Sequence, residues 1–145
     1  MARRLSDVEI AARIVPTMLR WPSSEVAAWD RLHEGVGALR NMLRVLDNAC
    51  YQVEQDRRLN PQDIRHRRIQ LGDQALGQLA AFRPLHNAER VIAEVIDGLE
   101  TTMQKQLTKA LDELREGLAA ARRAVVERCQ IRSNIISKPR LNVRF

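Results

Sequence analysis

Three histidines, two cysteines and a run of arginines are the residues of this chain whose chemistry could go beyond packing. His33, His66 and His86 fall in separate segments with different neighbours. A metal site would need two of them four residues apart on a helix, or cysteines close by, and neither spacing occurs. No metal and no cofactor is therefore expected. Cys50 and Cys129 each fall on the apolar face of a different helical segment, without a second Cys or His at ligand spacing. They are expected as free buried thiols of a reducing cytosol rather than as a disulfide. No Ser, His and Asp set suggests an activated nucleophile, and no glycine-rich phosphate loop is present. Gly35-Val36-Gly37 sits inside a heptad run and reads as a place of close helix approach. Catalytic residues are expected to be none, and the chain is not read as an enzyme.

The arginines are the stronger signal. Of 24 basic residues only Lys105, Lys109 and Lys138 are lysine, and the formal net charge is +6 with a pI near 10.3. Arg57, Arg58, Arg65, Arg67 and Arg68 flank Asn60-Pro61, against Asp56 and Asp63. If the chain reverses there, five guanidinium groups gather at one end of a bundle, suited to phosphates or to an acidic protein surface. A solvated helix junction would look the same in sequence. No aromatic side chains interleave for base stacking.

These residues must be positioned by helices. Aromatics make up only 3% of a chain that is 45% hydrophobic, an inventory of Leu, Val, Ile, Ala and Met that suits helix packing. Ser6 with Glu9 forms a capping box for a short first helix, which Trp21-Pro22 ends. From about Ser24 to Arg58, Trp29, Leu32, Val36, Leu39, Leu43, Leu46, Cys50 and Val53 recur at steps of three and four, an unbroken heptad pattern. Asn60 as N-cap and Pro61 in the first helical position restart the chain. A third helix is expected from about Pro61 to Phe82, weakened by Gly72 and Gly77. After a short connection at Arg83-Pro84-Leu85-His86-Asn87, one long helix is expected from about Ala88 to Cys129. Its stripe is Ile92, Ile96, Leu99, Met103, Leu107, Leu111, Leu114, Leu118, Ala121 and Val125, with a stutter between Met103 and Leu111.

The expected fold is all-α: an elongated helical bundle of long coiled-coil-like helices, with a short N-terminal helix and an extended basic C-terminal tail. Residues 1–22 would be the N-terminal helical segment, 23–130 the bundle and 131–145 the tail. The second, third and fourth helices would pack up, down and up. A fourth helix of about 42 residues would overhang the third by roughly 30 Å. A second subunit would cover that overhang, making Trp29, Leu32, Val36, Leu39, Leu43, Leu46, Leu107, Leu111, Leu114 and Leu118 a homo-oligomer interface. The tail carries no acid, and Leu141, Val143 and Phe145 alternate with Asn142 and Arg144, as in a strand. Arg132, Arg140, Leu141, Val143, Arg144 and Phe145 are thus expected to dock on a partner's sheet edge or groove.

No apolar stretch approaches the roughly 20 residues of a membrane span, and the N-terminus acquires Asp7 and Glu9 where a signal peptide would be apolar. A cytoplasmic protein, or part of an intracellularly assembled particle, is expected. The function expected is a non-enzymatic assembly, scaffold or structural subunit of a larger complex, phage-like particles included. The rival is a nucleic-acid-binding accessory protein using arginines for phosphate contacts, with steep salt dependence.

Overall fold

The computed structural model describes residues 27–131, and over these the chain is helical, with no strand. The expected N-terminal segment, including Ser6 and Glu9, lies outside the described residues. So do the tail residues Arg132, Arg140, Leu141, Val143, Arg144 and Phe145.

The heptad run forms α1, Ala27–Glu54. Trp29, Leu32, Val36, Leu39, Leu43, Leu46 and Cys50 are all buried, none more than 5% exposed. Glu54 ends the helix, and a short turned segment leads to α2, Pro61–Ala80. Its start follows the expectation closely. Asn60 caps it by accepting a hydrogen bond from the Asp63 amide at 2.9 Å, and Pro61 occupies the first turn, where its missing N–H costs nothing. Residue 60 therefore acts as the hinge about which α2 reverses along α1.

Beyond α2 the structure departs from the expectation twice. Arg83–Asn87 is not a connection but the first turn of α3, Arg83–Val95, opened by Phe82 in extended conformation and by Pro84. The expected continuous helix from Ala88 to Cys129 is broken. A 3₁₀ turn, Ile96–Gly98, and extended backbone at Leu99 and Glu100 separate α3 from α4, Thr101–Cys129. The apolar spacing runs through this corner without a gap, so periodicity alone carried no sign of it. Gly98 weakens the helix locally. The Gln104 side-chain amide then spans the corner, donating to the carbonyls of Ile96 at 2.8 Å and Leu99 at 2.9 Å. The Ile96 carbonyl also accepts from the Leu99 amide at 3.2 Å, so the side chain reinforces a turn that the backbone has already closed.

The break changes the packing. α2 and then α3 run back along α1, and α4 returns along both α1 and α2. Leu114 abuts Gly35, and Cys129 abuts Cys50, with one sequence offset of 79 at both places. α1 and α4 are thus parallel and in register, and the up, down, up order of the bundle holds with α3 sharing the middle leg. There is no 30 Å overhang, because the segment expected to supply it has folded back as α3. Glu89 of α3 and Arg115 of α4, 2.7 Å apart, tie the two halves on the surface.

The stripe expected to meet a second subunit is consequently inside this chain. Leu107, Leu111 and Leu114 are buried with the α1 residues in one core, and Leu118 is partly buried against it. Gly35 permits the contact with α4: a β-carbon there would lie 2.8 Å from Leu114 Cδ2. Gly37, two residues on, faces open space. Of the Gly35-Val36-Gly37 pair of glycines only the first marks close approach.

Candidate functional site

At the α1–α2 junction the structure divides the five arginines singled out from sequence. Arg57, Arg58, Arg65 and Arg67 are exposed, whereas Arg68 turns inward. Arg58 is held locally by Asp56, through its backbone amide at 3.0 Å and its guanidinium at 3.1 Å from both carboxylate oxygens. Those hydrogen bonds, the side-chain ones foremost, hold Asp56 below the usual carboxylate range.

Arg68 belongs to a different arrangement, centred on an arginine of α4. Arg128 of α4 is buried, its side chain wholly so. Its Nε donates to Asp47 Oδ1 at 2.7 Å, and its two terminal nitrogens grip Glu54 at 2.7 and 3.1 Å. Arg68 Nη1 donates to the same Glu54 at 3.1 Å, and its Nη2 to Gln130 Oε1 at 2.8 Å. Burial pushes the Arg128 guanidinium down, but the bonds to Glu54 and Asp47 outweigh this and hold it above its ordinary value. Burial likewise pushes Glu54 up, and the hydrogen bonds from Arg128 and Arg68 override it, leaving its carboxyl below the usual range.

This knot joins α1, α2 and α4 at one end of the bundle. A buried ion pair adds little net stability over an apolar core, but a charge left alone there is very unfavourable, so the knot selects one register. Two signals in the sequence could have revealed it. Asp47 and Glu54 lie one heptad apart on the flank of the apolar stripe, and Arg128 continues the spacing of Ala121 and Val125.

α4 ends here as well. Gln130 adopts the left-handed conformation, φ 57°, and the Ile131 amide donates to the Val126 carbonyl at 3.0 Å, a common helix stop. The turn presses Ile131, 8% exposed, against Gly72 of α2. Ile131, the last described residue, therefore lies at the same end as the exposed arginines.

Along the middle of α1 and the second half of α2 lies an open groove of about 400 Å³, lined by Ala38, Asn41, Met42, Val45, Leu46, Ala49, Leu71, Gln74, Ala75 and Gln78. None of these is charged, and Val45 is the most exposed large apolar residue described, at 58%. The groove's lining is apolar apart from the amides of Asn41, Gln74 and Gln78, and none of the four exposed arginines belongs to it.

The histidines are not brought together. His33 Nδ1 lies 2.9 Å from the Trp29 carbonyl, His86 approaches Glu89 at 3.7 Å, and His66 is exposed on α2. Among the described residues no group of His, Cys, Asp and Glu is arranged to hold a metal ion. No described helix is long and apolar enough to cross a membrane. Compared with known proteins, the chain matches no family model, no curated protein and no solved structure.

Proposed function

We propose that the protein is a non-enzymatic assembly component, a structural or scaffold subunit of a larger complex. It docks on an acidic protein partner through the arginine end of its bundle. The observation that carries this reading is a group of exposed arginines, Arg57, Arg58, Arg65 and Arg67, at the junction of two helices that also frame an uncharged groove. Protein interfaces combine an apolar centre with a polar rim in which arginine is favoured. Ile131 lies at that end, and in this reading the residues that follow it in sequence, with Arg132, Arg140, Leu141, Val143, Arg144 and Phe145, would add to the same docking. Oligomerisation through the heptad stripe would require opening the core, so assembly in this reading uses the groove, the exposed arginines and the tail.

Nucleic-acid binding is the second reading, favoured by the same arginines. The groove opposes it, since phosphates gain nothing from an uncharged trough. Of the described aromatics Trp29 and Phe82 are buried, which leaves no row of rings for base stacking.

The test is light scattering coupled to size exclusion on the full chain, with and without mixed-sequence DNA. It is paired with affinity capture and cross-linking from the native source. Cross-links from the α1–α2 junction to acidic segments of a protein, lost in R57E/R65E/R67E, are expected. A salt-sensitive complex with DNA that the same triple variant abolishes would overturn the assembly reading in favour of the second.

A further inference from the structure

Cys50 of α1 and Cys129 of α4 are both fully buried, and their Sγ atoms lie 3.7 Å apart in a thiol–thiol hydrogen bond. Free thiols are commonly buried as small hydrophobes, but two of them facing each other across a helix interface are a chemical pair. A disulfide needs the sulfurs at about 2.05 Å, an approach of under 2 Å from the present separation. The two residues are also placed where the bundle can yield. Cys129 is the last residue of α4, and Cys50 precedes the end of α1 by one turn. Gly72 makes the placement of Cys129 possible, its missing side chain leaving room for the Cys129 Cβ and Sγ.

We propose that Cys50 and Cys129 form an oxidisable dithiol, converted by a peroxide-class oxidant into a disulfide that staples the end of α4 to α1. Cys50 is the attacking group. The hydrogen bond between the two thiols draws the Cys50 thiol below its ordinary value, whereas that same bond, together with burial, pushes Cys129 up. The Cys50 thiolate attacks one peroxide oxygen, forming an S–O bond as the O–O bond breaks, and the departing hydroxide takes up the thiol proton as water. The Cys129 sulfur then attacks the sulfenic sulfur, forming the S–S bond and breaking S–O. The second water carries away the Cys129 proton. Two electrons leave the sulfurs and reduce one peroxide to two waters.

Access is set by the neighbouring knot. The oxidant reaches the pair when the last turn of α4 opens, and Arg128, bound to Asp47 and Glu54, holds that turn closed. The staple would fix the end of α4 at Gln130, and so couple the arginine end to oxidising conditions.

The experiment exposes the full wild-type chain to hydrogen peroxide in native buffer, titrates free thiols and maps peptides without reduction. The expected result is loss of both thiols of this two-cysteine chain, a Cys50–Cys129 linked peptide, an unchanged monomer mass less two hydrogens, and a raised thermal midpoint reversed by dithiothreitol. E54Q should oxidise faster than wild type. Thiols that stay unreacted in native buffer but react in denaturant would overturn the proposal. Recovery as sulfinic acid or as links between chains would do so too.

Discussion

Gly72 of α2 and Cys129 of α4 approach so closely that a β-carbon on the glycine would lie 2.8 Å from the Cys129 Cβ and 2.5 Å from Ile131 Cδ1. The first of these neighbours is rooted on the backbone and cannot rotate away. Gly77, five residues on along the same helix, would meet nothing within 4 Å. Gly72→Ala should therefore lower stability by about 1–3 kcal/mol through overpacking, while Gly77→Ala should raise it by up to about 1 kcal/mol through helix propensity. Urea denaturation of the two variants measures this, and equal effects would mean that α2 and α4 do not meet as described.

Arg128 is placed to produce the largest single-residue effect. Its replacement by Met takes from Asp47 and Glu54 the guanidinium that they share, and should destabilise by about 3–5 kcal/mol. Adding D47L and E54M to R128M should recover part of that loss, because it removes both carboxylates, while Arg68 loses Glu54 and keeps Gln130 as a partner. A triple variant no better than R128M would show that the charges themselves, and not their mutual compensation, hold this end.

Acid should act through Glu54. Its folded-state carboxyl lies below the ordinary value of 4.5, so its stabilising contribution is complete above that value and is lost as pH falls through the folded-state value. Unfolding free energy should be flat from neutral pH to about 5 and decline below about 4.5. E54Q should be less stable at neutral pH and show a shallower acid decline. An unchanged acid slope in E54Q would place the titration elsewhere.

Gln104 should matter at the corner between α3 and α4 and little beyond it. Gln104→Ala removes two donors from the Ile96 and Leu99 carbonyls and should cost about 1–2 kcal/mol. Hydrogen exchange should accelerate at residues 96–104 and remain slow in the middle of α1. Uniform acceleration would make the corner part of the global unfolding unit.

Much of this molecule was legible before any coordinates. The steps of three and four from Trp29 to Cys50 identify the buried face of α1 because a helix with that spacing must cover it. Asn60-Pro61 identifies the start of α2 because an amide side chain and a residue without N–H solve the same local problem of unpaired donors. Such features depend on neighbours within a few residues. The burial of Arg128, the inward turn of Arg68 and the pairing of Cys50 with Cys129 depend on what lies opposite, 14 to 81 residues away. The apolar stripe from Ile92 to Val125 is satisfied equally by a straight helix against a second subunit and by a helix folded back within one chain. Only the tertiary structure decided between them. Folding back lets α1 be covered by α3 and α4 of its own chain, without the loss of translational freedom that association would impose.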